Sequence, residues 1–332
     1  MSEKLDFVAV GDIVTDAFIR IKQASVYYDD KDSEEKICLA NGSKIPYESL
    51  TLASAVGNSP NAAVSAARLG LKSSLVTNTG DDNFGQDNIE SLKNNGVLTD
   101  FVKFHEGKKS NYHFVLWHKA ERTILIKHEE YDYSFPDIGS PKWMYFSSVG
   151  ENSIPYHHEI AKYLEDHKDI KLAFQPGTFQ IKLGYEKLKD LYAQTEVFFC
   201  NKEEAQLILN SKEDNPALLA KTMTELGPNI SVVTDGPKGA YAFDGKDGWF
   251  MPPYPDPAPP LERTGAGDSF SSTFTSALAL GKSVDEALMW GPINSMSVVQ
   301  HIGAQEGLLT RDKLEELLKN KPENYVPKKL SI

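Results

Sequence analysis

Residues 55–85 read AVGNSPNAAVSAARLGLKSSLVTNTGDDNFG, and this stretch decides the fold of the chain. Small and apolar residues in "NAAVSAARLG" (61–70) recur at helical spacing, whereas the apolar run "SLVTN" (74–78) is short and bounded by turn residues. A second amphipathic segment, "FGQDNIESLKNNG", follows at 84–96. These patterns predict a helix, a buried strand and another helix in direct succession.

The same alternation extends from about residue 60 to residue 235. Short β-rich apolar runs alternate with amphipathic helical segments, a pattern typical of βαβ units. We therefore predict an α/β fold with a central, mostly parallel sheet covered by helices on both faces, and ligands at the carboxyl ends of its strands. The further segments are "WMYFSS" (143–148), "YHHEIAKYLEDH" (156–167), "IKLAF" (170–174), "YEKLKDLYAQ" (185–194), "EVFFC" (196–200) and "ISVVTDG" (230–236).

Two regions break the alternation. Residues 17–55 have a strand-and-turn pattern without a clear helix, and residues 100–128 alternate at period two in "DFVKFHEG", "NYHFVLWH" and "ERTILIKH". Such alternation is typical of half-exposed antiparallel strands. We predict that the two regions together form a small β lid on the α/β body, with a pair of ordinary surface hairpins as the alternative.

Composition narrows the classes of partner. The 332 residues include 40% hydrophobic and 25% charged residues, as in an ordinary globular protein, and the net charge is −12. This charge argues against nucleic acid or an anionic membrane as the main partner. Cys38 and Cys200 match no metal or redox spacing, and no apolar run approaches the length of a membrane span. We expect a cytoplasmic protein.

The segment "ERTGAGDSFSSTF" (262–274) carries the clearest chemistry. Gly265, Ala266 and Gly267 precede a run of small and apolar residues, which predicts a helix start. Free N–H groups and the helix dipole at such a start favour an anion, for example a phosphate in transfer. Asp268 beside this anion hole could accept a proton from a substrate hydroxyl. The alternative is an early-turn acid that only favours the dipole.

Two spaced signatures then resemble those of the ribokinase-like (PfkB) carbohydrate and nucleoside kinases. The first is a glycine turn followed by N-x-small and two further glycines, and the second, D-T-x-G-A-G-D, is matched by residues 262–268. The resemblance covers nearly the whole chain and implies a single kinase domain, 1–332, with a three-layer αβα fold and the β lid. The first signature is carried by Gly57, Asn61, Ala63, Gly70 and Gly80.

The resemblance implies roles for matching positions. Asp268 would be the general base that takes a proton from the attacking hydroxyl, and the amides of Gly265, Ala266 and Gly267 would bind the phosphoryl group of ATP. On the acceptor side, Asp12, Asp16, Gly57 and Asn61 would bind the hydroxyls of a sugar. Without the family, Asp12 and Asp16 would be interpreted as a polar turn and a solvated acid.

Further positions concern the nucleotide and the metal ion. The segment "CNKEEAQLIL" resembles the family's N-x-x-E segment, in which Asn201 and Glu204 would order Mg²⁺ and its waters, although the same spacing is that of a helix capping box. The loop at 303–304 would help to bind a monovalent cation such as K⁺. The nucleotide itself would contact Thr234, Gly236, Gly239, Asn294 and Arg263.

The chain also departs from the family pattern. Glu262 replaces the usual Asp, which puts a monovalent-cation site in doubt, and Arg263 replaces the usual Thr. Arg263 either contacts a phosphate or is a surface arginine paired with an acid such as Glu262. Gln175 stands where the family often has an acidic or amide residue, and whether it contacts the substrate is left open. His157 is expected to be a surface histidine.

Taken together, the sequence predicts an ATP-dependent sugar kinase, with a homodimer formed through the lid as one arrangement. Two alternatives remain at this point. A nucleoside kinase would use the same residues, with Phe104, Phe114 or Trp117 of the lid stacking on the base. A sensing protein would bind sugar or nucleotide without transfer, but an intact Asp268 argues against it.

Overall fold

The computed structural model describes residues 4–29, 34–119 and 121–332. Its core is a ten-stranded sheet in the order β16-β15-β14-β13-β12-β11-β10-β1-β6-β7. The strands of this sheet are β1 (Phe7–Val10), β6 (Ser73–Gly80), β7 (Val102–His105), β10 (Trp143–Phe146), β11 (Lys171–Phe174), β12 (Thr195–Asn201), β13 (Ile230–Thr234), β14 (Ala240–Phe243), β15 (Gly248–Met251) and β16 (Lys328–Leu330).

The pairing from β7 through β13 is parallel, and β14, β15 and β16 extend the sheet in antiparallel fashion. The predicted α/β class with a mostly parallel central sheet is confirmed. The helices are α1 (Asn58–Arg68), α2 (Asn83–Asn94), α3 (Ile154–Asp166), α4 (Thr178–Leu183), α5 (Tyr185–Ala193), α6 (Lys202–Leu209), α7 (Pro216–Thr224), α8 (Ala266–Ala279), α9 (Val284–Val298) and α10 (Arg311–Lys319).

Side chains of β1 show why the sheet is covered on both faces. Phe7 and Ala9 belong to one hydrophobic core, and Val8 and Val10 belong to the other, because successive strand residues point to opposite faces. The first core contains residues from α1, α2, α8, α9 and α10, and the second contains residues from α3, α5, α6 and α7. Helices on both faces make three layers.

A second, four-stranded sheet has the order β5-β2-β8-β9, and we call it the small sheet. It comprises β2 (Val14–Arg20), β5 (Ser49–Val56), β8 (Asn111–His118) and β9 (Glu121–Leu125). β3 (Ser25–Asp29) and β4 (Glu34–Cys38) pair separately as an antiparallel hairpin. The two regions that break the alternation therefore supply a sheet distinct from the central one.

The prediction for residues 100–107 was wrong in one respect. β7 does not join the small sheet but forms the parallel edge strand of the central sheet beside β6. The reason is the α2 crossover between β6 and β7, which returns the chain to the same sheet in parallel orientation. An edge strand with one exposed face shows the same period-two alternation, so the sequence pattern could not separate the two placements.

His157 also differs from its prediction as a surface histidine. It is 1% exposed on α3, where its Nδ1 lies 2.6 Å from the carbonyl of Ser153 and its Nε2 lies 3.1 Å from Nε2 of Gln180. Burial lowers the pKa of His157 to about 4. It is therefore a neutral internal residue. Among the described helices, none has the length and apolar character needed to cross a membrane.

Candidate active site

Asp268 lies in the first turn of α8, and its carboxylate accepts three hydrogen bonds from side-chain amides. Asn58 Nδ2 donates to Oδ1 at 2.8 Å, and Gln175 Nε2 donates to the same oxygen at 3.0 Å. Asn61 Nδ2 donates to Oδ2 at 2.8 Å. Both asparagines belong to the first turn of α1, and Gln175 directly follows β11, so two separated segments converge on the carboxylate of α8.

The electrostatic setting of Asp268 combines opposing effects. Burial raises the pKa of its carboxyl, and the three amide hydrogen bonds and the charge of Arg122 act in the opposite direction. The side chain nevertheless remains partly exposed. A carboxylate with a raised pKa is a better proton acceptor than an ordinary aspartate, and this one is reachable by a ligand.

The glycine loop before Asp268 takes a shape that requires glycine. Gly265 has φ of 77°, and a Cβ there would lie 2.4 Å from Cβ of Ala304. α8 begins directly after it, at Ala266. Among the described residues, the amides of Gly267 and Asp268 have no hydrogen-bond acceptor. These free amides lie at the positive end of the helix dipole, where an anion is favoured.

A cavity of about 380 Å³ adjoins this loop. Its wall includes Thr234, Gly236 and Gly239 from the β13–β14 connection, together with Arg263 and Gly267. Four of the five residues predicted to contact the nucleotide therefore face one space, next to the free amides of α8. Other wall residues are Tyr254, Pro260, Phe270, Pro292, Ser295, Met296 and Val299.

Asn294, the fifth predicted nucleotide contact, is not brought to this cavity. It is 0% exposed, its Nδ2 donates to Thr273 Oγ1 at 2.7 Å, and its Oδ1 accepts from the amide of Leu309 at 2.9 Å. Ser295 and Met296, the next residues of α9, line the cavity instead. Residues one or two positions apart on a helix point to different faces. The sequence pattern located this helix but could not tell which of its residues face the cavity.

Glu262 and Arg263 have separate environments. Glu262 is 5% exposed and accepts hydrogen bonds from the amides of Thr264 and Gly303, both at 2.8 Å. Arg122 Nη1 of β9 lies 3.9 Å from Glu262 Oε2. Within the described part of the chain, Arg263 forms no ion pair. Pairing of Arg263 with Glu262, the alternative from the sequence, is therefore not observed.

Asn201 and Glu204 form a reciprocal capping box at the start of α6. The amide of Glu204 donates to Asn201 Oδ1 at 2.8 Å, and the amide of Asn201 donates to Glu204 Oε2 at 2.9 Å. Burial, and to a lesser degree the charge of Asp268, raises the pKa of Glu204. Glu204 is thus electrostatically coupled to Asp268. The described residues contain no cluster of three or more His, Cys, Asp or Glu side chains suited to a metal ion.

Asp12 and Asp16 are buried at the end of β1 and in β2, close to residues that the sequence did not indicate. The hydroxyl of Tyr133 donates to Asp12 at 2.9 Å, and His128 Nδ1 lies 3.3 Å from Asp12 Oδ2. His113 Nδ1 lies 3.3 Å from Asp16 Oδ1. That oxygen and His113 Nε2 are buried without a hydrogen-bond partner among the described residues.

Gly57 joins this group to the Asp268 carboxylate. Its φ is 120°, and a Cβ there would lie 2.9 Å from the carbonyl oxygen of Asp12. The next residue, Asn58, donates to Asp268. Gly57 is therefore close to Asp12 and directly precedes an amide donor to Asp268, and Gly267, next to Asp268 in the chain, lines the cavity beside α8.

Several site residues were missed or left open by the sequence. Gln175 stood at a position of departure from the family pattern, and Asn58 had no predicted role. Arg122 was placed on a strand of the small sheet, but nothing in the sequence connected it with Glu262 or Asp268. The other missed residues are His113, His128 and Tyr133.

The three aromatic residues considered as base-stacking groups lie elsewhere. Trp117 is buried beneath the guanidinium of Arg20, 4.6 Å from the ring centroid. Phe114 is exposed on the face of β8 opposite to His113, since adjacent strand residues point in opposite directions. Phe104 is exposed on β7 at the edge of the central sheet. The observation that favoured a nucleoside acceptor is therefore absent.

This α/β architecture is matched by known kinases. The pfkB family of carbohydrate kinases matches residues 34–311, so the chain belongs to this family. Ribokinase from Bacillus subtilis is 29% identical over 268 residues, covering 79% of this chain and 87% of the relative. The 5-dehydro-2-deoxygluconokinase of the same organism is 24% identical, covering 82% of this chain and 89% of the relative.

The solved structure of Arabidopsis thaliana ribokinase complexed with ribose and ATP superposes with a TM-score of 0.79 at 19% identity, covering 95% of this chain and 99% of that one. At this identity the likeness shows the fold. Together with the family membership, it identifies the chain as a carbohydrate kinase, a phosphotransferase with an alcohol group as acceptor.

Proposed function

We propose that the protein transfers the γ-phosphate of ATP to a hydroxyl of a sugar and that Asp268 is the general base. The observation that carries the proposal is the Asp268 carboxylate in the first turn of α8, which accepts hydrogen bonds from three side-chain amides. The free amide of Gly267, next to Asp268 in the chain, lies at the wall of the cavity of about 380 Å³. The buried Asp12 is close to Gly57, which directly precedes the amide donor Asn58.

The acceptor sugar is proposed to bind at Asp12 and Asp16. Asp16 Oδ1 is a buried acceptor without a hydrogen-bond partner among the described residues, and a sugar hydroxyl would satisfy it. Tyr133 donates a hydrogen bond to Asp12, and His128 Nδ1 lies 3.3 Å from it, so both hold its carboxylate in place. A hydroxyl oriented in this way would lie beside Asp268, which removes its proton as the oxygen attacks phosphorus.

ATP is proposed to occupy the cavity beside α8. Thr234, Gly236 and Gly239 would approach the nucleoside portion, and the free amides of Gly267 and Asp268 would receive the phosphoryl group in transfer, since the Ala266 amide already donates to the carbonyl of Arg263. Charge builds up on the equatorial oxygens during phosphoryl transfer, and preorganised amide donors stabilise it without reorganisation. Ser295 and Met296 replace Asn294 as the α9 residues proposed to contact the nucleotide.

Asn201 and Glu204 fit a role in holding Mg²⁺ through its waters. The capping box uses Glu204 Oε2 and Asn201 Oδ1, and Glu204 Oε1 has no partner among the described residues. One free carboxylate oxygen suits Mg²⁺, which usually keeps several waters in protein sites. When bound, the ion would neutralise charge on the phosphates.

The residues around Glu262 do not fit a K⁺ site that uses this carboxylate. Each oxygen of Glu262 already accepts a backbone amide, and the guanidinium of Arg122 lies 3.9 Å away. A monovalent cation there would lie beside a fixed positive charge. No step of the proposed reaction depends on such an ion.

The proposed activity is tested by measuring ADP formation with Mg-ATP across a panel of ketoses, aldoses and nucleosides. We expect turnover with at least one sugar and none in Asp268→Asn. Turnover confined to nucleosides would assign the nucleoside alternative. If no acceptor produces ADP while sugar or ATP still binds, the protein senses its ligands without transfer.

Replacement of Arg263 by Ala is expected to raise KM for ATP by about 3- to 10-fold with little change in kcat. The exposed guanidinium lines the cavity without an ion-pair partner among the described residues, so it is free to contact a phosphate. Arg311→Ala, which removes an arginine paired with Glu315 on α10, serves as the control. Unchanged ATP kinetics in Arg263→Ala would overturn the assignment.

A homodimer through the small sheet is part of the proposal, because the outer face of this sheet is apolar and exposed. Its exposed side chains are 46–52% accessible and come from three strands: Leu50, Leu52, Phe114 and Leu125. Tyr112 extends this face toward Phe84, with the two ring centroids 4.6 Å apart. Apolar faces of this kind mark interaction sites, and a second copy offers a matching face under two-fold symmetry.

The dimer is tested with Leu52→Glu, which places a charge at the centre of this face. We expect wild-type protein to have the mass of two chains by light scattering at micromolar concentration, and the variant that of one. Leu218→Glu on α7 alters an exposed leucine outside this face and is the control. A wild-type mass of one chain would exclude this dimer.

A further inference from the structure

The orientation of the amides around Asp268 is decided by residues behind them. A side-chain amide can present either its NH₂ donor or its carbonyl acceptor to a neighbour, and its other end settles which one. At Asp268 all three amides present NH₂ groups. For two of them, the structure contains the residues that impose this orientation.

Asn61 is oriented by Gln305. Gln305 Nε2 donates to Asn61 Oδ1 at 2.9 Å and to the carbonyl of Ala55 at 2.6 Å. With its oxygen bound on that side, Asn61 can only direct Nδ2 toward Asp268. The loop that carries Gln305 is itself held by Arg68, whose Nη1 donates to the carbonyls of Gln305 and Leu308 at 2.7 and 2.9 Å.

Gln175 is oriented in the same way by two hydroxyls. Its Oε1 accepts from the hydroxyl of Tyr145 and from Ser271 Oγ, the latter at 2.6 Å, which leaves Nε2 to donate to Asp268. Burial raises the pKa of Tyr145, so its hydroxyl remains a donor. Tyr145 comes from β10 and Ser271 from α8, so this arrangement is independent of Gln305.

We propose that Gln305 and Tyr145 are positioning residues that fix Asn61 and Gln175 as donors and thereby keep the Asp268 carboxyl ionised. A protonated carboxyl needs an acceptor for its hydrogen, and amides that are fixed as donors offer none. An ionised carboxylate is satisfied by all three. The inference rests on the proposed role of Asp268 as base, which requires the ionised form.

Other charges near Asp268 act independently of this network. Arg122 of β9 favours the ionised form of Asp268, and Glu204 of α6 and Asp268 disfavour each other's charge. Tyr145 of β10 faces the carboxylate as a neutral phenol. Substitution of the neutral Gln305 by another neutral residue leaves these charges unchanged. A shift in the ionisation of Asp268 would then report the orientation of Asn61.

Gln305→Met provides the test, because methionine has a similar length and no donor. Asn61 could then turn and accept a hydrogen bond from protonated Asp268. We expect the acidic limb of kcat/KM for the best sugar to move up by about one pH unit. Tyr145→Phe should move the acidic limb by less, because Ser271 still donates to Gln175. The double variant Tyr145→Phe with Ser271→Ala should move it by about as much as Gln305→Met does.

Arg68→Gln is the matched control, since it loosens the loop that carries Gln305 without removing the Gln305 side chain. It should lower the melting temperature without moving the acidic limb. An equal shift in Arg68→Gln and Gln305→Met would reduce Gln305 to a structural role and overturn the inference. If Gln305→Met does not fold, the Tyr145 and Ser271 variants still test whether fixing the Gln175 amide as a donor keeps Asp268 ionised.

The pKa of Asp268 can also be measured without turnover. A ¹³C-carboxyl titration by NMR, with Asp268→Asn to assign the signal, should give a higher pKa in Gln305→Met than in the wild type. Equal values would overturn the positioning role. Turnover that persists in Asp268→Asn would refute the proposed base, whereas the NMR result would still decide the role of Gln305.

Discussion

Asp268→Asn is expected to lower kcat by about 10²–10⁴-fold, with KM for ATP changed far less. The amide side chain of the variant has nearly the shape of the carboxylate but cannot accept a proton from the attacking hydroxyl. Asn58 and Gln175 can still donate to its oxygen. Steady-state ADP release at saturating sugar measures the change.

Asp87→Asn, an exposed carboxylate lost from α2, is the matched control for removal of one negative charge. It should retain wild-type turnover. A value of kcat within a factor of about three of wild type in Asp268→Asn would refute the assignment of the base. A loss in both variants would indicate a general effect of charge.

The raised pKa of Asp268 also predicts the pH dependence of rate and stability. Activity requires the ionised form, so the acidic limb should lie above about pH 4, the ordinary range of an aspartate. Because the folded pKa lies above the unfolded one, the contribution of this group to stability is fully present below the unfolded pKa. It is lost as pH rises through the folded pKa.

Thermal melts test this sign. The melting temperature of wild type relative to Asp268→Asn should fall as the pH rises above about 4, since the variant lacks the titrating group. A difference that is constant over this range would mean that folding does not shift the pKa of Asp268.

Gly265→Ala is expected to reduce kcat on the order of 10²-fold and to destabilise the fold by about 1–3 kcal/mol. Its φ is 77°, and the new Cβ would lie 2.4 Å from Cβ of Ala304. The loop must move to relieve this contact, and the amides at 265–267 move with it. Rates and urea denaturation of the same preparation measure the two effects.

Gly281→Ala separates backbone strain from displacement of the loop. Gly281 has φ of 84° and no atom within 4 Å of an added Cβ, so it carries the strain without the contact. We expect Gly281→Ala to lose stability and keep its kcat. A Gly265→Ala variant with wild-type kcat would exclude a catalytic role for this loop.

Local patterns predicted most of the architecture. The alternation of buried runs and amphipathic segments located β6, β10, β11, β12 and β13 and the helices α1, α2, α3 and α5, but not α4 or α7. This works because strand and helix periods reflect burial within a few residues. The helix start at residues 265–268 was equally local, since glycine and small residues specify it directly.

Placement on a particular sheet or helix face could not be predicted in this way. β7 has the alternation of an antiparallel strand but pairs in parallel with β6, and His157 lies within a polar segment but faces the interior. Asn294 is one position away from the residues that line the cavity. In each case the sequence pattern predicted the strand or helix. Packing against distant segments then decided which sheet it joins or which way its side chains face.

The sequence by itself determined the α/β class and the family, because periodicity and signature spacing are properties of short segments. The tertiary structure alone decided what surrounds the Asp268 carboxylate. Asn58 and Gln175 are separated from Asp268 by 210 and 93 residues, and only folding brings their amides to its oxygens. Hydrogen bonds between segments so far apart depend on the packing of α1, β11 and α8, which no local pattern encodes.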